Sequence, residues 1–208
     1  MGWYLDNVYE RGKEAPYTFY VPSREVIDEL EVGDMVKLIF MYEHGVEFEG
    51  ERMWVEIQER TGDSFKGVLT NEPYEKGILE LGQEVTFKVE HICDTEYEDP
   101  KAANLDVFFD TKVVVSSDVL DRKTFNFLLR DKPKDEHDSG WTVMSGYEED
   151  EDLADPECFQ YVSIGVILNM DDSILAFWEE PALCAYEREE DGKFYKIEDY
   201  DWDGYLNG

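Results

Sequence analysis

Apolar positions along this chain fall into many short stretches broken by glycine, proline and acidic residues, a pattern of short strands and brief helices. Pro22-Ser23 opens a helix running to Leu30, with Ser23 as N-cap and Val26, Ile27 and Leu30 on one face. A turn at Gly33-Asp34 leads into the strand Met35–Phe40. Met53–Ile57 and Phe65–Leu69 form a hairpin around Thr61-Gly62-Asp63. Leu81-Gly82 repeats the glycine turn ahead of a strand in which Val85, Phe87 and Val89 share a face. In the second half, Lys112–Ser116, Thr124–Leu129 and Trp141–Met144 read as strands, the middle one also compatible with a helix. Asp131–Asp138 reads as a charged loop, and Glu148–Pro156 as a short acidic helix. Tyr161–Leu168 fits either a helix or a buried strand, and Asp172–Trp178 one or two helical turns. Cys184–Arg188 and Phe194–Ile197 around Asp191-Gly192 carry the strongest hairpin signal.

These elements predict an α+β fold, mainly antiparallel β with a few short helices, in two small domains. A polar, proline-broken stretch at Thr95–Lys101 marks the boundary. The expected parts are 1–100, a small curved sheet or barrel-like domain with one short helix, and 106–208, an α+β domain with an acidic C-terminal tail. With 42% hydrophobic and 14% aromatic residues in 208, the chain has enough to bury for a real core.

Charge changes the functional picture most. Lys and Arg number 19 against 51 Asp and Glu, a formal charge of −32. Phosphates and anionic lipid attract cations, so direct nucleic-acid binding and membrane binding are disfavoured, and a protein partner should offer a basic face. From Asp135 to Glu187 there is no Lys or Arg, but 15 Asp or Glu. Holding such a surface together against its own repulsion hints at use. The candidate partner-binding set is Glu148, Glu149, Asp150, Glu151, Asp152 and Asp155 with Glu179 and Glu180. The plainer reading of the run is a solvated helix N-terminus, where the dipole favours acids.

Catalytic signatures are missing: there is no phosphate-binding loop, dinucleotide fingerprint, nucleophile elbow or H-E-x-x-H. The histidines are His44, His91 and His137, and none sits in a recognisable catalytic pattern. Ser139 beside His137 is better read as a turn in Asp138-Ser139-Gly140-Trp141, with Trp141 entering the core. Asp199, Asp201, Asp203 and Gly204 match the opening of a calcium loop. The bidentate Glu that should close the loop is missing, so an acidic aromatic tail is the plainer reading. No cofactor is expected. Cys93, Cys158 and Cys184 are odd in number and set among apolar or aromatic neighbours, which suggests buried free thiols. With no secretory leader pattern and no apolar run of membrane-spanning length, a cytoplasmic location is expected.

Two sets of motifs add a resemblance. Glu51-Arg52-Met53-Trp54-Val55, Gly67 through Pro73, Leu81 through Phe87 and Ile92-Cys93-Asp94 resemble an uncharacterised bacterial domain. That family reads E-x-M-W-V, G-x-L-x-N-x-P, G-D-x-V and I-x-D. Arg130 with Pro133, Asp138–Trp141, Gly146-Tyr147-Glu148 and Ala185-Tyr186-Glu187-Arg188 resemble the bacterial immunity-type domains of polymorphic toxin systems. Asp131 stands where that family has Glu, and Leu183-Cys184 where it has Gly. The resemblance implies a non-enzymatic cytoplasmic protein that neutralises a toxin by binding it. On this reading an acidic face occludes a basic toxin. A nucleic-acid mimic that occupies a DNA-binding protein is the alternative, and an enzyme using a carboxylate pair or a calcium site ranks third. The oligomeric state is not set by the sequence.

Overall fold

The computed structural model describes residues 2–43 and 49–207, so His44 lies outside the described residues. The chain divides into two compact units, Met1–Leu105 and Asp106–Gly208. The fold is α+β, with mostly antiparallel strands in two six-stranded sheets.

The first unit contains β1 (Trp3–Leu5), α1 (Val8–Glu14), α2 (Arg24–Glu29), β2 (Met35–Tyr42), β3 (Gly50–Thr61), β4 (Ser64–Leu69), β5 (Glu84–Lys88) and β6 (Ile92–Thr95). The strands lie in the order β1-β2-β3-β4-β5, with β6 on β2. Ser23 caps α2 as the sequence suggests, its hydroxyl accepting the Val26 N–H, and Val26, Ile27 and Leu30 are buried. The hairpin β3–β4 brings Phe65 opposite Phe87 of β5, and their rings stack at 5.2 Å. Register shifts between Ile57 and Glu59, and between Lys37 and Leu38, bend the sheet around its core. Val36, Leu38, Val55, Ile57 and Ile92 are wholly buried inside that curve. Helix α1, capped by Asn7, adds a second helix to the single one expected. Only Val8 in it is buried, so its sequence carries no apolar stripe to read.

The family-like motifs of this unit are structural. The Glu51 carboxylate accepts N–H groups of Tyr74 and Glu75 and the Tyr42 hydroxyl, which ties down the loop after β4. The Asn71 side chain accepts the Trp54 N–H at 2.8 Å, and Asp94 pairs with Lys37 at 2.7 Å.

Helix α3 (Ala103–Asp110) crosses the division. The second unit continues with β7 (Lys112–Ser116), α4 (Ser117–Arg122), β8 (Phe127–Arg130), β9 (Asp138–Met144), α5 (Asp150–Ala154), β10 (Phe159–Ser163), α6 (Ile164–Leu168), a 3-10 turn (Asp172–Phe177), β11 (Cys184–Arg188), β12 (Phe194–Lys196) and α7 (Trp202–Asn207). The sheet order is β10-β7-β9-β8-β11-β12, and only β7–β9 is parallel. Tyr161–Leu168, ambiguous in sequence, is both things: strand to Ser163, helix from Ile164.

The central strands of this second sheet are covered on one face. Val113, Val115, Leu128, Trp141 and Val143 are 0% exposed, and α4 and α6 contribute buried Val119, Ile164 and Ile167. Two cysteines are buried, but Cys158 is only half-buried, a correction to the expectation for all three. It ends a 3-10 turn (Pro156–Cys158) that follows the exposed helix α5 and buries none of its residues.

A half-covered sheet face between acidic walls

The opposite face of the second sheet is different. Register places Val114, Thr142 and Leu129 side by side on it, with Phe127 opposite Met144 and Phe159 opposite Ser116. Val114, Phe127, Thr142, Met144 and Phe159 are only half-buried. They floor a cleft of about 540 Å³, also lined by Glu148, Leu153, Tyr200 and Tyr205. Tyr161, opposite Val114 on the edge strand, extends the apolar surface and is 52% exposed.

Two segments wall the cleft. One is α5, which directs Leu153 toward it and leaves Asp150, Glu151 and Asp152 exposed. The other is the tail. Tyr200 packs on Phe127 with ring centroids 6.1 Å apart, and on Trp202 and Tyr205. Burial pushes the Tyr200 and Tyr205 phenols up, with the charge of Asp201 acting on Tyr200 and that of Asp131 on Tyr205. Asp199, Asp201 and Asp203 face solvent. Each wall thus places apolar side chains inward and carboxylates outward.

The acidic run does not act as one block. Glu148 is turned inward, accepting the Ser145 N–H at 2.7 Å, the Gly146 N–H at 2.9 Å and the Ser116 hydroxyl. Burial pushes its carboxyl up, but these hydrogen bonds outweigh burial and hold it below the usual range. It clamps the turn after β9 to the end of β7. Glu149, Asp150, Glu151, Asp152 and Asp155 are exposed, and among the described residues none lies within 4.0 Å of a Lys or Arg nitrogen. Glu179 and Glu180 stand elsewhere. The Arg130 guanidinium donates to the main-chain carbonyls of Trp178 and Glu180, while Lys196 lies 3.7 Å from the Glu180 carboxylate. Arg130 pairs with Trp141 and Phe127 with Met144, so these two acids lie toward the opposite end of β8 from the Glu148 clamp.

The remaining candidates are accounted for locally. Among the described residues no three His, Cys, Asp or Glu side chains converge as metal ligands. Asp201 accepts the Gly204 N–H at 2.9 Å and so caps the last helix, and the tail aspartates are not brought together. His91 is half-buried and accepts the Lys88 N–H through Nδ1; burial lowers its pKa. The Ser139 hydroxyl donates to the Lys112 carbonyl and accepts the Trp141 N–H, which occupies it away from His137.

The second-half motifs build scaffold. Asp138 accepts the Gly140 and Lys134 N–H groups. Gly140 sits at φ +76°, and a Cβ there would overlap the Asp131 carbonyl oxygen. Trp141 lies beneath the Arg130 guanidinium, its buried indole N–H without a hydrogen-bond partner among the described residues. Arg188 stacks on Phe125 and Phe194, donates to the Phe125 and Gly192 carbonyls and pairs with Asp171. The acidic pattern pointed to α5. It gave no hint of the cleft, because strands apolar on both faces read as simply buried.

No helix among the described residues is long and apolar enough to cross a membrane. Comparison with curated proteins and with solved structures gives no match. Family profiles do match both halves in the expected order. Residues 13–104 are similar to the family described as an uncharacterized protein conserved in bacteria (DUF2314), and residues 113–198 to the Immunity protein Imm33 domain.

Proposed function

We propose that this chain is a non-enzymatic immunity protein of the bacterial cytoplasm that neutralises a toxin of a polymorphic toxin system by binding and occluding it. The observation that carries this reading is the match of residues 113–198 to an immunity-protein domain. The proposed partner surface is basic. The second unit, Asp106–Gly208, holds 9 Lys or Arg against 27 Asp or Glu, a balance of −18. Few of those acids have a cationic neighbour, and the exposed ones of α5 have none among the described residues. Unneutralised carboxylates raise the field outside the molecule, attract a basic partner and speed encounter.

Motif residues such as Gly140, Trp141, Glu148 and Arg188 hold the scaffold, which leaves the exposed acids free to contact a partner. The test is co-expression with the protein encoded beside this chain's gene, followed by co-purification. A complex that protects cells from the neighbour's toxicity supports the reading. Survival without a complex, or a complex without protection, refutes it. A partner that DNA displaces from the complex would favour nucleic-acid mimicry instead.

A further inference from the structure

We propose that the half-covered face of the second sheet is the docking groove, and that its occupant is a cationic amphipathic segment of the partner protein. The inference rests on the immunity reading above and adds where and how the partner is held. Across the central strands one face is buried, while the other keeps Val114, Phe127, Thr142 and Met144 only half-covered. Apolar surface left open in this way favours a partner that completes its burial.

Charge selects the occupant. Both walls are acidic outside and apolar inside: Leu153 lies between Asp152 and Asp155, and Tyr200 between Asp199 and Asp201. A neutral apolar peptide would fill the floor and leave these carboxylates without counterions. A polycation without apolar side chains would satisfy the rims and leave the floor wet. A segment with apolar side chains on one side and Lys or Arg flanking them satisfies both.

The sign of a charge change separates this groove from simple attraction. Leu153→Glu and Met144→Glu both add negative charge. If long-range attraction alone held the partner, each would leave binding unchanged or tighten it. If the groove is the seat, each puts a carboxylate where an apolar side chain must pack, and affinity falls about ten-fold or more. Leu153 is 49% exposed, so its substitution leaves the fold intact, which circular dichroism and the melting temperature check. The full-length chain and these variants are titrated by calorimetry with the protein encoded beside the gene. The expected result is tight binding by the native chain and the stated loss in both variants. Undiminished binding by folded Leu153→Glu overturns the groove and leaves the immunity reading standing. No binding by the native chain overturns both.

Discussion

Replacing Glu148 with Ala tests whether this acid serves the fold or the partner. Its carboxylate accepts three hydrogen bonds, and their losses are unequal. Ser145 is 0% exposed, so its N–H would be stranded at about 1–3 kcal/mol. Ser116 is 1% exposed and its hydroxyl would lose its acceptor, at about 1 kcal/mol. Gly146 is exposed and its N–H turns to water at little loss. The sum is about 3 kcal/mol. With a urea dependence of about 1.5 kcal/mol per molar for a unit of this size, the midpoint should fall by about 2 M. Glu148→Gln keeps one acceptor oxygen and should lose about 1 kcal/mol. The pH dependence has a fixed sign. The folded-state pKa of Glu148 lies below its unfolded value, so its contribution is whole above about pH 4.3 and is lost as pH falls through the folded value. The gap between native protein and Glu148→Gln should therefore be largest near pH 7 and close on acidification below about pH 4. Unfolding followed by near-ultraviolet circular dichroism, where buried Trp141 contributes, measures both. A loss below about 0.5 kcal/mol for the alanine variant, or a gap that widens in acid, would refute the clamp.

Gly140→Ala should destabilise the second unit by about 3 kcal/mol, from left-handed backbone strain plus displacement of the Asp131 carbonyl, and lower its melting temperature by about 14 °C. Scanning calorimetry checks this. A thiol reagent should label Cys158 in the native protein and reach Cys93 and Cys184 only after unfolding, since both are buried and burial pushes the Cys93 thiol up to about 11. Modification read by mass spectrometry decides it. Millimolar calcium should leave tyrosine and tryptophan fluorescence unchanged, because the tail aspartates do not converge and Asp201 caps a helix. A saturable calcium response would contradict that.

Local signals were strong wherever one residue type settles a local geometry. Ser23 marked α2, and the glycine turns marked β2 and β5, where Gly33 and Gly82 donate to the Ile57 and Leu69 carbonyls. The Asp191-Gly192 hairpin was equally plain. Legibility failed where tertiary context decides. Tyr161–Leu168 is mostly apolar, interrupted by Ser163 and Gly165, and the pairing with β7 fixes where strand becomes helix. Helix α1 has a single buried side chain, so no periodicity exists to find. The acidic run was visible as charge, yet nothing in five consecutive acids separates the clamp Glu148 from its exposed neighbours. The turn Ser145-Gly146 before it, with two N–H groups in need of an acceptor, is the signal that could have singled it out. The cleft was hidden for a related reason. Val113, Val114 and Val115 look alike in sequence, and only the sheet's one-sided cover makes Val114 differ from its neighbours.

The most direct measurement is the association rate of the native chain with the protein encoded beside its gene, taken from about 50 mM to 500 mM salt, a range over which the screening length shortens several-fold. Electrostatic capture by this anionic unit requires a complex whose association slows by about ten-fold or more across that range, while dissociation changes little. Association indifferent to salt, or protection from that protein's toxicity without a complex, would contradict it.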